Sequence, residues 1–292
     1  MKIALYNRIF EEEHIPFFQE LFETLEKFNF SYVIFEDFKE RLIPHLEISK
    51  NIVSFTHHNN IPKDVDIFIS LGGDGTMLDT VNLVHNSLIP TLGINLGRLG
   101  FLADVRKEEI ALAFRALKLG SYSIENRSLV HLDSNINLFG EHSYGLNEFT
   151  IHRKDTSSMI KIHTFINGDF LNTYWSDGLI VATPTGSTGY SLSCGGPIVF
   201  PTAENFIITP VAPHNLNIRP IIVPDNSIIS FTIEGRNNQF LCTLDSKVAT
   251  ISHDVQLAVK KESFNFRLVR LDDHEFLDTL RQKLFWGADN RN

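Results

Sequence analysis

Apolar and polar positions follow two different periods along this chain, and the change falls near residue 125. Before it, residues 3–6, 32–35, 65–70 and 91–95 are short runs rich in Ile, Val, Leu and Phe, which predicts buried strands. Between them, residues 14–28 place Ile15, Phe18, Leu21, Phe22 and Leu25 on one helical face, and helices are also expected after Gly75 and over 108–119. Strands alternating with helices at this spacing predict a mostly parallel sheet with helices on its faces. From 127 to 270 the pattern becomes short alternating runs, at 129–132, 144–152, 160–167, 179–183, 221–223, 228–234, 240–244, 255–259 and 264–269. Turn residues such as Asn167-Gly168-Asp169 and Pro224-Asp225-Asn226 separate many of them, which predicts an all-β sandwich. Residues 274–286 return to helical spacing, with Phe276, Leu277, Leu280 and Leu284 on one side. The expected organisation is an α/β domain over 1–125, a β-sandwich over 126–270, and a C-terminal helix within 271–292 that packs back on the first domain.

Composition narrows the function classes. Hydrophobic residues make up 43% and charged residues 21% of the 292, an ordinary balance for a globular protein. The net charge of −9 argues against nucleic acid or an anionic membrane as partner. An anionic substrate would need a locally positive pocket. The two cysteines, Cys194 and Cys242, form no Cys-x-x-Cys, so neither a disulfide framework nor a thiolate zinc site is suggested. The first residues read as a strand, not a signal peptide, and no apolar run approaches the roughly 20 residues of a membrane helix. A cytoplasmic location is expected.

Chemistry is concentrated in three stretches. In the first, Leu71-Gly72-Gly73-Asp74-Gly75-Thr76 joins the 65–70 strand to a helix. Glycines there let the backbone approach a ligand, and a helix start offers N–H groups to phosphate. Asp74 would repel that phosphate unless it takes a proton, holds a metal or simply caps the turn. The motif is neither a P-loop nor the Gly-x-Gly-x-x-Gly dinucleotide fingerprint. A second glycine-rich run, 93–102, follows; within it Arg98 either clamps a phosphate or pairs with a surface carboxylate. In the second stretch, Asn147-Glu148 stands in a strand-like run where neighbours face opposite sides, so a site using both needs a bulge or a strand end. The third runs from Ser176-Asp177-Gly178 through Thr183-Pro184-Thr185-Gly186-Ser187-Thr188-Gly189-Tyr190-Ser191-Leu192-Ser193 to Gly195-Gly196-Pro197. Its small donors suit a nucleotide, with Tyr190 available for stacking. It is not a nucleophile elbow, since Ser187 has glycine immediately before it.

In order and spacing, these motifs resemble those of the NAD kinases, together with Pro210-Val211-Ala212-Pro213-His214-Asn215-Leu216, Arg219-Pro220 and the ending Leu280-Arg281-Gln282-Lys283-Leu284-Phe285-Trp286-Gly287. The resemblance implies phosphorylation of the adenosine-ribose 2′-hydroxyl of NAD by ATP or another phosphoryl donor, with Mg²⁺, in a homo-oligomer that is expected to be a tetramer. By carry-over, Asp74 accepts the hydroxyl proton and Gly75 approaches the same nucleotide. Asn147 and Glu148 hold NAD, Asp177 binds a ribose or the nicotinamide end, and Thr188, Gly189, Tyr190, Ser191, Leu192 and Ser193 line the adenine. Ala212 contributes from a loop near a subunit interface. Two departures stand out: Gly189 replaces a common alanine, and Lys247 in Leu244-Asp245-Ser246-Lys247 replaces a common glutamine. Lys247 is therefore either a phosphate contact or an exposed strand-end lysine. The competing readings are a lipid kinase of the diacylglycerol or sphingosine type and a non-enzymatic NAD(P)-binding regulator.

Overall fold

The computed structural model describes residues 1–49, 51–155, 158–271 and 276–284. The chain divides into two compact units, Met1–Asn126 with Phe266–Asn292, and Arg127–Asn265. In the first unit the elements run β1 (Lys2–Asn7), α1 (Ile15–Lys27), β2 (Ser31–Phe35), α2 (Glu36–Leu42), β3 (Ser54–Phe55), β4 (Ile67–Leu71), α3 (Asp74–Val84), β5 (Thr91–Asn95), β6 (Val105–Arg106), α4 (Ile110–Leu119) and β7 (Tyr122–Arg127). Strand order is β3-β2-β1-β4-β5, followed by a late strand and β7, with β6 also on β5. Neighbours from β3 to β5 pair in parallel. Phe18, Leu21 and Leu25 of α1 pack with Phe114 and Leu117 of α4 and with Ile3, Leu5, Ile67 and Ile69 of the strands, so each amphipathic face is buried as its spacing predicts.

The chain moves outward from β1 to β2 and β3, then returns to the other side of β1 with β4. Such a reversal opens a crevice beyond the carboxyl ends of the two central strands. Asn7 closes the floor of that crevice by donating from Nδ2 to the Leu71 carbonyl at 2.8 Å. The Gly-Gly-Asp-Gly turn starts at its edge.

The second unit contains β8 (Val130–Ser134), β9 (Tyr144–Gly145), β10 (Glu148–Arg153), β11 (Ile160–Ile166), β12 (Asp169–Ser176), β13 (Gly178–Ala182), the short helix α5 (Tyr190–Ser193), β14 (Asn205–Val211), β15 (Ile221–Pro224), β16 (Ile229–Glu234), β17 (Phe240–Leu244), β18 (Lys247–Ile251) and β19 (Leu257–Lys261). They form two six-stranded sheets, β15-β14-β13-β10-β17-β18 and β12-β11-β16-β19-β8-β9. Phe149 of one sheet stacks on Phe231 of the other with ring centroids 5.7 Å apart, inside a shared core with Ile151, Ile162, Leu179 and Val259. The predicted α/β and sandwich classes are both present.

Several strands, β12 and β18 among them, fall on no predicted run, and two further features depart from the sequence expectation. The run read as the last sandwich strand is β20 (Phe266–Leu271), which pairs with β5 through Leu268 and Thr91 and completes the first unit's sheet. The second unit accordingly ends at Asn265. The other departure is β14, which falls on none of the predicted runs and contains Pro210. Pro210 pairs with Leu179 and lies beyond the last β15 pair at Ile208, so no bond to β15 requires its N–H. The C-terminal helix is α6 (Phe276–Leu284) in the first unit; the rest of the expected span, with Phe285-Trp286-Gly287, lies outside the described residues.

Candidate active site

In the first unit the site grows from the turn after β4. Gly72 adopts φ +152°, and a Cβ there would stand 2.3 Å from Thr76 Oγ1, so only glycine fits. Gly73 is the N-cap of α3 and Asp74 its first helical residue. Asp74 does not spend its carboxylate on its own helix. Oδ1 accepts from the backbone N–H groups of Leu102 at 3.0 Å and Ala103 at 3.2 Å, and Oδ2 from Phe101 at 3.0 Å. Gly100 makes this approach possible, because a Cβ there would lie 1.9 Å from Asp74 Oδ1. The second glycine-rich run is thus the cradle of the first run's carboxylate.

That cradle is itself anchored. Asn95 donates from Nδ2 to the carbonyls of Arg98 at 2.6 Å and Ala103 at 3.3 Å. Buried Arg270, from β20, pairs with Asp104 and with Glu125 at 3.1 Å, and donates to the Phe101 carbonyl at 3.2 Å. Arg98 is exposed on the same loop. Gly75 opens toward Arg8, whose Nη1 would lie 3.8 Å from a Cβ at that position. Arg8 also pairs with Asp79 at 3.1 Å.

In the second unit Asn147 stands between β9 and β10, at a strand end, as a site using both Asn147 and Glu148 requires. Asp245 is half-buried and holds that strand end. Its carboxylate accepts from the N–H groups of Leu146 at 2.6 Å, Asn147 at 2.8 Å and Glu148 at 3.1 Å. The Asn147 carbonyl in turn receives the Thr183 N–H at 2.8 Å and lies 2.1 Å from where a Gly186 Cβ would be. Beside it Glu148 is half-buried, and its Oε2 is a buried atom with no hydrogen-bond partner. Burial, followed by the neighbouring Asp245 carboxyl, pushes Glu148 up to about 8. Gly189 sits against this group, 3.2 Å from Glu148 Oε2 and 3.9 Å from Asn147 Nδ2 measured from a hypothetical Cβ.

The polar loop divides into inward and outward residues. Ser191 is buried and exchanges a hydrogen bond with Thr209 Oγ1 at 2.8 Å, while Thr188 donates to the Thr185 carbonyl at 3.3 Å. Tyr190 and Ser193 are exposed, and Leu192 is half-buried. Tyr190 stacks on His152 at 5.6 Å. Asp177 pairs with Arg153 at 3.0 Å. Ala212 is exposed and held at φ +44°, a strained value for a residue with a Cβ. Lys247 is not an exposed strand-end lysine. It donates to the carbonyls of His142 at 2.8 Å and Tyr144 at 2.7 Å and lies over the Tyr144 ring, which accounts for its ammonium without a phosphate. Burial brings it down to about 8.

Known proteins match over the whole of this arrangement. Residues 3–122 match the ATP-NAD kinase N-terminal domain, and 146–271 match the ATP-NAD kinase C-terminal domain. The chain is 48% identical to the NAD kinase of Cytophaga hutchinsonii and 45% identical to that of Flavobacterium psychrophilum, covering all of each chain in both cases. The chain belongs to the NAD kinase family. Solved structures carry the same fold. Yeast NADH kinase complexed with NADH aligns at TM-score 0.85 and 23% identity over 99% of this chain and 89% of its own. An Archaeoglobus fulgidus NAD kinase in complex with ATP aligns at 0.73 and 22% over 98% of each. Family membership removes the lipid-kinase alternative.

Among the residues that surround the NAD kinase motifs, sequence reasoning did not single out Arg8, Arg153, Asp245, Arg270 or the donors at 101–103. Only the glycines beside those donors hinted at a close approach. The arginines carried no local signal, since their partners lie far away in the chain.

Proposed function

We propose that the chain phosphorylates the adenosine-ribose 2′-hydroxyl of NAD, with ATP as donor, and that Asp74 is the base. The observation that carries this reading is the Asp74 carboxylate at the carboxyl end of the central strands, fixed by three N–H donors. As the hydroxyl oxygen bonds to the γ-phosphorus, its proton passes to Asp74 Oδ2. The bond from that phosphorus to its bridging oxygen breaks, and the electron pair leaves with ADP. Positioning and charge neutralisation account for most of the rate in such transfers. Gly75 leaves room for the nucleotide, and Arg8 and Arg98 bring positive charge near a donor that the net −9 would otherwise repel.

Asn147 and Glu148 are assigned to NAD because Glu148 Oε2 is a buried polar atom lacking a partner, which a ribose or adenine group satisfies. Asp177, Gly189, Tyr190 and Ser193 complete that contact. Ser191 and Thr188 shape the loop through their internal bonds.

Among the described residues Asp74 belongs to no cluster of three potential metal ligands, so Mg²⁺ fits as a metal carried by donor phosphates and water. When bound, it neutralises phosphate oxygens.

We also propose a cytoplasmic homo-oligomer, a tetramer; the largely exposed loop 212–216, with Leu216 at 84% exposure and the His214 ring tilted against Trp175 at 4.3 Å, supports the assembly. Light scattering that found only a 33.2 kDa species would reject the assembly. The function is tested by NADP formation with purified protein, across ATP, other triphosphates and polyphosphate, with and without Mg²⁺. Absence of NADP with every donor would overturn it.

A further inference from the structure

The two oxygens of Asp74 are not equivalent. Oδ1 already takes two backbone N–H groups, and a carboxylate oxygen has two lone pairs, so it is full. Oδ2 takes one N–H, from Phe101, and among the described residues faces the Lys283 ammonium of α6 at 3.5 Å. Lys283 is held there from below, since its Nζ lies 4.8 Å from the centroid of the Phe101 ring. That ring packs near Phe276 of the same helix, at 6.2 Å, and Gln282 accepts from Arg106 at 3.2 Å. The C-terminal helix is therefore fastened at two points ahead of the lysine, Phe276 and Gln282, and Phe101 contributes both a donor to Asp74 and a platform for the cation.

We propose that Lys283 is a positioning residue for phosphoryl transfer, holding Asp74 Oδ2 aimed at the incoming hydroxyl. At 3.5 Å the contact is a charge contact rather than a tight hydrogen bond, so the hydroxyl can approach Oδ2 without first breaking a short bond. An ammonium has donors and no acceptor, so Lys283 is not itself the base. When the proton reaches Oδ2 the carboxyl loses its charge. The lysine's charge is then matched instead by the phosphoryl oxygens, whose approach brings negative charge to the same place. The inference rests on the reading of Asp74 as base.

The test compares K283M, K283R and K283A with the parent enzyme and with D74N. Loss of one charge-assisted contact predicts a kcat about ten- to a hundredfold lower in K283M, with KM for NAD changed by less than about threefold. K283R should retain most of the rate, and added propylammonium should recover part of it in K283A. In the D74N background K283M should cost little more, because the oxygen it positions no longer accepts a proton. Thermal melts of each variant identify any loss that comes from unfolding. Near-parental kcat in folded K283M, or an undiminished loss in the D74N background, would overturn the inference while leaving Asp74 as base. An active D74N would overturn the base reading instead.

Discussion

Asp74 and Glu148 are carboxyl groups beside glycine-rich turns, one in each unit, and their surroundings are opposite. Asp74 is 32% exposed, and every group given to it is a donor: three backbone N–H groups and an ammonium. Glu148 is half-buried next to a second carboxyl, with one buried oxygen that has no partner, and is pushed up to about 8. The first environment complements a negative charge. The second removes the charge near neutral pH and leaves a group that can donate as well as accept. The same chemistry on two backbones is thus split between a group ringed by donors and suited to take a proton and a neutral acid suited to hold one.

The hardest blow to that contrast is Asp74→Asn. Asparagine keeps the size and part of the hydrogen bonding but loses the basic oxygen, and its amide would turn a donor toward the N–H groups at 101–103. General-base assistance is typically worth about 10²–10⁴-fold, so kcat should fall within that range with KM for NAD little changed. Steady-state kinetics at saturating NAD, ATP and Mg²⁺ checks it. Near-parental kcat would end the base assignment and make Asp74 a structural partner of the 100–104 loop.

Glu148→Gln sharpens the other side of the contrast. If NAD binds beside a neutral Glu148, affinity should weaken as the carboxyl ionises above about 8. One pH unit higher only about a tenth remains protonated, so apparent affinity should fall about tenfold by pH 9. Glutamine cannot ionise, so the variant's affinity should stay flat over the same range. Calorimetry at pH 7 and pH 9 decides. A parental enzyme whose affinity does not change, or a variant that keeps the same slope, would remove the neutral-acid role.

How much of this contrast was legible in the sequence depends on distance along the chain. The strand-turn-helix around Asp74 and the polar loop at 176–197 were readable because their periodicity and glycines are local. The strand end at Asn147-Glu148 was readable because adjacent strand residues cannot share a face. What fixes these groups was not readable. Asp245 reaches Leu146, Asn147 and Glu148 across nearly a hundred residues, and Arg270 reaches Asp104 and Glu125 from the far end of the chain. Lys247 shows the opposite failure. A lysine after a turn reads as either a phosphate contact or an exposed side chain, yet the carbonyls of His142 and Tyr144 draw it inward. β20 was legible as a strand but not as a member of the first sheet, since alternation specifies a strand without naming its neighbour.

A third carboxyl separates burial from partnership as the cause of the contrast. Glu262 lies in the same unit as Glu148 and is also largely buried, with an 11% exposed side chain. Burial pulls it upward as well, but hydrogen bonds from His131 and Ser263 and the imidazolium charge bring it to about 2. His131 is raised in return, first by its 2.6 Å hydrogen bond to Glu262, against the downward pull of burial. The signs fix a window. The contribution of Glu262 is present above its ordinary value near 4.5 and fades as pH falls through about 2, while that of His131 is present below its ordinary 6.5 and fades as pH rises through its raised value. The pair should therefore stabilise most between about pH 4.5 and 6.5. A double-mutant cycle with His131→Phe and Glu262→Gln, followed by denaturant unfolding, should give a coupling of about 1–2 kcal/mol at pH 5.5. At pH 9 the coupling should be smaller. A coupling independent of pH would mean that His131 and Glu262 meet as neutral groups, and the contrast with Glu148 would then rest on depth of burial alone.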